Sequence, residues 1–280
     1  MEKFVFILSP PFSGSTLVHQ LVSTSNSVSE IPGEGLFISS VRKLLPRDLY
    51  AMKQEISWPA VREEWERVWE VDKPILLEKS PPTIVHAQDM AQHFQPAYFL
   101  CLVRDPYAYC EGHQRRRGLG YRFAAQRWVV QVQHQISNLE NLNHSLKISY
   151  EDLVEDPAGT RDRIVDFLPE LADIDIQAEF EVKSVDNAWK QKSAIRNLNP
   201  TKIALLSKED ITEINQVLDT HSDVLEYFGY QRIDPVIHTQ SQSTPTSPAV
   251  KLVRGKYAVK RLLLRTFRRL GLEHFFPRKF

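Results

Sequence analysis

The chain has 280 residues, of which 42% are hydrophobic and 25% are charged, and its formal net charge is zero. This composition is typical of a soluble globular protein. The two cysteines are too few for a disulfide framework. No apolar run approaches the ~18 residues of a membrane span. The zero charge hides an asymmetry, because residues 251–280 contain ten Lys or Arg and one Glu, which leaves the rest of the chain acidic.

The opening residues predict a phosphate-binding device. Lys3–Leu8 is a short apolar run typical of a buried strand, Ser9–Gly14 has loop composition, and Ser15–Val22 has helical periodicity. In that order, the N–H groups of the loop and the start of the helix converge on an anion. The hydroxyl groups beside the anion would be those of Ser13, Ser15 and Thr16.

The loop differs from the Walker A motif, in which a lysine and then a serine or threonine follow the last glycine. Here Gly14 is followed by Ser15 and Thr16. An ordinary strand-to-helix turn built from small residues is the alternative interpretation of this stretch.

Three further strands are predicted at Pro74–Glu78, Ala97–Val103 and Leu146–Tyr150, with helical patterns between them. This alternation predicts a doubly wound α/β fold with a parallel sheet. Lys79 and Arg104 directly follow two of the strands, and the carboxyl ends of parallel strands meet at one edge of a sheet. The predicted helices are Leu36–Leu45, Pro59–Val71, Thr83–Phe94, a helix from Pro106, Tyr121–Leu142, Thr160–Leu168, Lys208–Leu218 and Asp223–Tyr230.

Glu34 lies between two glycines, which let the backbone bend sharply and present the carboxylate. Its alternative role is that of an acidic residue at the start of the helix predicted over Leu36–Leu45, where it would interact with the helix dipole.

Four segments together resemble the sulfotransferase family that uses 3′-phosphoadenosine-5′-phosphosulfate (PAPS). The segments are SPPFSGSTL at Ser9–Leu17, EKSPP at Glu78–Pro82, LVRDPYAY at Leu102–Tyr109 and ISYEDLVEDP at Ile148–Pro157. The resemblance covers about residues 3–230 and is closest to the Golgi-type protein-tyrosine and carbohydrate branches, as found in soluble bacterial relatives. It implies a three-layer P-loop-like fold, in which helices flank a central parallel sheet.

The resemblance also implies roles for individual residues. Ser13, Gly14, Ser15 and Thr16 look like the loop that binds the 5′-phosphosulfate, and Arg104 looks like the arginine that binds the 3′-phosphate. Lys79 resembles a lysine that acts near the sulfuryl group, and Glu34 falls where the tyrosine-sulfating branch has its general base. His113 is the alternative base.

Two positions depart from the family pattern. Phe12 stands where the loop usually has Lys or Arg, so that Lys79 would carry more of the role, or Arg115 or Arg116 would contribute. Gly112 stands where a serine usually helps to bind the 3′-phosphate, and its N–H group or His113 would substitute. For the late loop of the 3′-phosphate site, the composition of Lys190–Asn199 makes Ser193 and Arg196 the candidates.

The expected function is transfer of a sulfuryl group from PAPS to an acceptor hydroxyl, with PAP as product and no metal. The acceptor could be a sugar, a tyrosine, a lipid or a small alcohol, and its pocket would be lined by Phe37–Trp58, Gly118–Phe123 and Ala172–Trp189. Two alternatives stay open: a P-loop-like nucleotide or small-molecule kinase, and a catalytically degenerate protein that binds PAP.

The sequence predicts three regions: a sulfotransferase domain at residues 1–232, a flexible linker at 233–249 and a basic amphipathic segment at 250–280. Residues 250–272 could contact an anionic membrane surface, a partner or the acidic body of the protein, whereas no motif favours nucleic acid. Because the first strand begins at residue 3, there is no room for a signal peptide, and the expected location is the cytoplasm, with or without peripheral membrane contact.

Overall fold

A computed structural model describes residues 2–51, 55–183 and 190–241, and it confirms the predicted α/β fold. Five strands form the central sheet in the order β2-β3-β1-β4-β5, and every neighbouring pair is parallel. These strands are β1 (Lys3–Leu8), β2 (Val28–Glu30), β3 (Ile75–Glu78), β4 (Ala97–Val103) and β5 (Ser145–Ser149). A separate antiparallel pair consists of β6 (Phe180–Lys183) and β7 (Lys190–Ser193).

The helices of the described residues mostly coincide with the predicted apolar periodicity. They are α1 (Ser15–Val22), α2 (Ser39–Arg42), α3 (Trp58–Glu66), α4 (Ala87–His93), α5 (Pro106–Arg117), α6 (Tyr121–Asn141), α7 (Tyr150–Glu155), α8 (Pro157–Phe167), α9 (Asn199–Ile203), α10 (Lys208–Leu218), α11 (Ser222–Phe228) and α12 (Pro235–Ser241). Short 3₁₀ turns occur at Gly35–Phe37, Pro81–Val85 and Pro169–Leu171.

Helices cover both faces of the sheet, which gives the three layers expected of a P-loop-like fold. Side chains alternate between the two faces along β1. One face packs in a cluster that includes Phe4, Phe6, Leu8, Trp58, Trp65 and Phe94. The other packs in a cluster that includes Val5, Ile7, Val18, Leu21, Leu153 and Ile164. Burial on both faces explains why β1 and β4 are apolar throughout.

The strand order positions the candidate site. The chain builds β2 and β3 on one side of β1 and then β4 and β5 on the other, so the order reverses next to β1. Ligands of open α/β sheets bind beyond the strand carboxyl ends at such a reversal. Buried Gln135 of α6 joins the two strands there, because its Nε2 donates to the carbonyls of Leu8 (2.8 Å) and Leu102 (3.1 Å).

The described residues divide into two compact units. The first comprises residues up to 104 and residues 130–197, and it contains the sheet. The second comprises residues 105–129 and those from 198 onwards. In the second unit the buried hydroxyl of Tyr107 donates to Oδ1 of Asn215 (2.5 Å) and accepts the N–H of Ile233 (2.9 Å), which connects α5 to α10 and the chain beyond it.

Some local structure differs from the predictions. Strand β2 was not predicted, and β7 lies within Lys190–Asn199, which was predicted as a loop, because short polar strands have no apolar periodicity. The helix predicted over Thr83–Phe94 is interrupted, with a 3₁₀ turn at Pro81–Val85 before α4. Part of the predicted linker is helical, as α12, while residues 242–249 of it and the basic segment lie outside the described residues.

A capping box starts α10, since Ser207 and Asp210 each accept the backbone N–H of the other. Within the described ranges, no helix combines the length and the apolar character needed to cross a bilayer.

Candidate active site

The loop after β1 turns tightly and leads directly into a helix. Gly14 has φ 98° and directly precedes α1, whose first turn contains buried Ser15 and exposed Thr16. The side chains of Ser9 and Ser13 are fully buried, and neither Oγ has a hydrogen-bond partner among the described residues. Burying an unpaired hydroxyl costs stability, so two of them in one loop are the pattern expected of groups that bind a ligand.

Arg104 is held against this loop. It directly follows β4, is 3% exposed, and its Nη1 donates to the carbonyl of Phe12 (3.2 Å). Phe12 has φ 68°, a left-handed conformation that is unusual for a bulky residue. The contact places a fixed guanidinium at the loop, which is the kind of group that binds phosphate.

Tyr150 connects Arg104 to two other parts of the site, and the sequence did not indicate this role. The guanidinium carbon of Arg104 lies 3.7 Å from the centre of the Tyr150 ring, and a Cβ on Gly14 would lie 2.7 Å from the same ring. The Tyr150 hydroxyl donates to the carbonyl of Arg196 (3.2 Å), so the predicted late loop is joined to the site through its backbone. The available signal was the position of Tyr150 directly after β5, at the sheet edge where Arg104 also lies.

Glu34 and Lys79 form an ion pair at the end of β3. Phe6 of β1 is in register with Glu78, so Lys79 emerges from the sheet beside the last residues of β1. Its side chain is 5% exposed, and Nζ lies 3.3 Å from Oε1 of Glu34, whose side chain is 37% exposed. The pair therefore combines a buried cation with an accessible carboxylate, two groups that can assist the transfer of an anionic group to a hydroxyl nucleophile.

Glu78 is the second site residue that the sequence did not reveal. Its carboxyl group is fully buried, and Oε1 accepts the N–H of Gly35 (3.0 Å) and the hydroxyl of Ser80. The Ser80 Oγ in turn accepts the N–H of Leu36 (3.1 Å). Burial raises the pKa of Glu78 to about 7, although these hydrogen bonds and Lys79 act in the opposite direction.

His19 lies on the buried side of α1. Its Nδ1 is 3.2 Å from Oε2 of Glu30, and Ser23 donates to the same carboxylate oxygen. Burial lowers the pKa of His19 and the ammonium group of Lys79 lowers it further, while Glu30 acts in the opposite direction. A neutral imidazole therefore packs behind the loop.

Other predicted residues are not joined to this arrangement by a described contact. Ser193 ends β7, where its hydroxyl donates to the carbonyl of Ala194 (3.1 Å). Gly112 and His113 lie in α5 of the second unit, together with the buried ion pair of Arg115 and Glu111 (2.9 Å). Burial and two arginines lower the pKa of His113 to about 4. The roles of these residues stay predictions.

No group of three or more His, Cys, Asp or Glu side chains with a geometry suited to a metal ion occurs within the ranges that the structure describes.

We expect Gly14→Ala to lower the free energy of unfolding by about 2–4 kcal/mol, because a left-handed φ costs 1–2 kcal/mol and contact with the Tyr150 ring adds overpacking. Denaturant unfolding measures the change. Gly229→Ala is the matched control. Gly229 also has a positive φ, but an added Cβ there would meet no atom of the described residues within 4 Å beyond its chain neighbours. Equal losses in the two variants would show that the Tyr150 contact contributes nothing.

We expect Glu78→Gln to remove a pH dependence of stability. The raised pKa means that between about 4.5 and about 7 the folded protein holds a proton that the unfolded chain releases, so the free energy of unfolding falls as pH rises through that window. The stability of Glu78→Gln relative to the natural protein should therefore increase by about 2 kcal/mol from pH 5 to pH 8. Denaturant curves at both pH values give the difference, and parallel behaviour of the two proteins would contradict the raised pKa.

Comparison with known proteins identifies the family. The sequence model of the sulfotransferase family matches residues 5–173, which is more than half of the chain. The comparison with curated protein sequences gave no match. Similar solved structures include a sulfotransferase from Alicyclobacillus acidocaldarius, with TM-score 0.44 and 14% identity over 77% of this chain and 95% of that one. Another is the mouse sulfotransferase SULT7A1 complexed with PAP, with TM-score 0.43 and 14% identity over 81% of this chain and 89% of that one. On the family match, this chain belongs to the sulfotransferase family, whose activity is sulfuryl transfer.

Proposed function

We propose that this protein transfers a sulfuryl group from PAPS to the hydroxyl group of an acceptor, with Glu34 as general base and Lys79 as the cation at the reacting group. The observation that carries the proposal is the 3.3 Å contact between Glu34 and Lys79 at the end of β3, next to the strand that leads into the loop. A general base and a cation in contact are two groups that assist an in-line transfer to a hydroxyl.

The loop and Arg104 would bind the nucleotide. The buried hydroxyl groups of Ser9 and Ser13 are suited to phosphate or sulfate oxygens, which accept hydrogen bonds from hydroxyl and backbone N–H donors alike. Arg104, which contacts the Phe12 carbonyl and the Tyr150 ring, offers a positioned guanidinium for the 3′-phosphate. The mouse relative SULT7A1, solved with PAP, makes PAP the natural first ligand to test.

In the proposed reaction, Glu34 takes the proton from the acceptor hydroxyl. The oxygen of that hydroxyl attacks the sulfur in line with the bond to the departing phosphate. The new bond joins the acceptor oxygen to sulfur, the bond between sulfur and the bridging oxygen breaks, and PAP leaves with the electron pair. Lys79 stabilises the negative charge that develops on the departing oxygen. As in phosphoryl transfer, positioning and electrostatics would supply most of the rate enhancement.

Phe12 favours a second candidate, a protein that binds PAP without transferring sulfate. The family usually has a cationic side chain at this loop position. This chain has the apolar side chain of Phe12, and the backbone carbonyl of Phe12 accepts a hydrogen bond from Arg104. This candidate shares the nucleotide site with the first and differs only in turnover, so the two are separated by measuring binding and transfer on the same protein.

We expect PAP to raise the melting temperature by several degrees, since a ligand at 100 times its Kd stabilises by about 2.7 kcal/mol. ATP with Mg²⁺ should give a smaller shift, because Gly14 is not followed by the lysine of a nucleotide-hydrolysing loop. Thermal unfolding with each nucleotide measures both shifts. A larger shift with ATP and Mg²⁺ would refute PAPS as the donor.

Ser13→Ala provides the matched control for that experiment. It removes a buried hydroxyl that has no partner among the described residues, so the variant should melt at the same temperature as the natural protein or higher. The shift produced by PAP should nevertheless become smaller in this variant, and an unchanged shift would remove Ser13 from the nucleotide site.

We expect Glu34→Gln to retain the PAP-induced shift and to lose transfer by a factor of about 10²–10⁴, because general-base catalysis contributes rate without contributing to nucleotide binding. Transfer is measured with ³⁵S-labelled PAPS against tyrosine peptides, sugars, lipids and small alcohols. Glu63→Gln is the control, as Glu63 is an exposed carboxylate on α3. Turnover retained in Glu34→Gln would exclude the base role, and binding of PAP without transfer by the natural protein would favour the second candidate.

A further inference from the structure

The turn that carries Glu34 begins with backbone donors that need partners. Glu34 is the residue before the 3₁₀ turn Gly35–Phe37, with extended backbone angles of φ −128° and ψ 111°. The first N–H groups of such a turn have no acceptor within it. A side chain at this position usually accepts one of them, but that of Glu34 makes no such bond and reaches Lys79 instead.

Residues at the end of β3 accept these N–H groups in its place. Glu78 Oε1 accepts the N–H of Gly35 at 3.0 Å, and Ser80 Oγ accepts the N–H of Leu36 at 3.1 Å. The Ser80 hydroxyl then donates to the same Glu78 oxygen, so the two side chains act together. Both side chains are fully buried. The two bonds that they accept from the turn connect segments more than forty positions apart in the sequence.

We propose that Glu78 and Ser80 form a cap that fixes the backbone of residues 35 and 36 and thereby leaves the Glu34 carboxylate available for catalysis. They are positioning residues, since the described hydrogen bonds of their side chains go to the turn and to each other, and the inference rests on the proposed role of Glu34 as the base. We call this pair the Glu78–Ser80 cap.

Close packing supports a positioning role. A Cβ on Gly35 would lie 2.8 Å from Nε1 of Trp65 and 2.9 Å from Cγ of Glu78, so the turn sits against the cap with no space for a side chain. The Glu78 carboxyl group is fully buried near the indole of Trp65, and this environment disfavours its charged form. Such burial costs stability, and here it supplies an acceptor for the turn.

The sequence at the end of β3 explains why one segment contacts both the backbone of the turn after Glu34 and the side chain of Glu34. Successive residues of an extended chain point in opposite directions. Glu78 and Ser80 therefore reach the backbone of the turn, while Lys79 between them reaches the side chain of Glu34. Three consecutive residues thus set the backbone position and the charge environment of the proposed base.

A double-mutant cycle with Ser80→Ala and Glu34→Gln tests the proposal. Ser80→Ala should lower kcat for sulfuryl transfer by about 10- to 100-fold, with the KM for PAPS unchanged, because displacing a catalytic group by a fraction of an ångström to one ångström has effects of this size. In the Glu34→Gln background, the same substitution should have little further effect on kcat. Equal reductions of kcat in both backgrounds would overturn the proposal, since a general structural defect acts independently of Glu34.

Thr83→Val is the matched structural control. The buried Thr83 hydroxyl donates to the carbonyl of Ser80 (2.7 Å), whereas the described hydrogen bonds of the Gly35 and Leu36 N–H groups go to Glu78 and Ser80. Thr83→Val should lower the melting temperature about as much as Ser80→Ala, while kcat stays near that of the natural protein.

Two variants of Glu78 test the other half of the cap. Glu78→Gln keeps an oxygen that can accept the N–H of Gly35 and should retain more activity than Glu78→Ala.

Amide hydrogen exchange tests the cap without relying on turnover. Exchange at Gly35 and Leu36 should become at least tenfold faster in Ser80→Ala and stay unchanged in Thr83→Val. Unchanged exchange in Ser80→Ala would overturn the cap itself. If exchange accelerates while Glu34→Gln retains full turnover, the base assignment of Glu34 fails and the cap is reduced to a structural element, so the two failures are distinguishable.

Discussion

Parallel pairing of β1 with β3 on one side and β4 on the other is the constraint on which the candidate site depends. It brings the carboxyl ends of three strands to one edge, so the loop after β1, Lys79 after β3 and Arg104 after β4 emerge close together. Gln135 reinforces this edge, because its amide bonds to the ends of both β1 and β4. A shift of register by one residue would turn every side chain of a strand to the other face, and the functional side chains with it.

Three buried charged groups lie at this edge, and each is stabilised differently. Arg104 stacks on the aromatic ring of Tyr150 and donates to the backbone carbonyl of Phe12. Lys79 is paired with Glu34, and Glu78 accepts backbone and hydroxyl donors while its pKa rises to about 7. Two cations and one partly protonated acid leave a positive balance among these three buried groups, which suits a ligand with anionic groups.

Much of this arrangement could be predicted from the sequence, for identifiable reasons. Strands β1 and β4 are continuous apolar runs because both faces are covered, and Lys79 and Arg104 follow strands directly, so topology alone placed them at one edge. Strand β2 was missed because it has three residues and no apolar pattern. The roles of Tyr150 and Glu78 depend on contacts across long sequence separations, with Arg104 and Gly35. The sequence indicates at most that each residue lies at the end of a strand, and it does not specify the contact that the side chain makes.

The pairing of Lys79 with Glu34 bears on the loop position that Phe12 occupies. In the free protein the Glu34 carboxylate compensates the charge of Lys79. In the proposed reaction, Glu34 becomes neutral when it takes the acceptor proton, so the positive charge of Lys79 loses its partner at the stage when negative charge develops on the departing oxygen. A cation coupled in this way stabilises the transition state more than the ground state, which is the condition for raising kcat. In the proposed reaction Lys79 therefore supplies a cation at the stage when the charge develops, which is how the protein could catalyse the transfer with Phe12 in the loop.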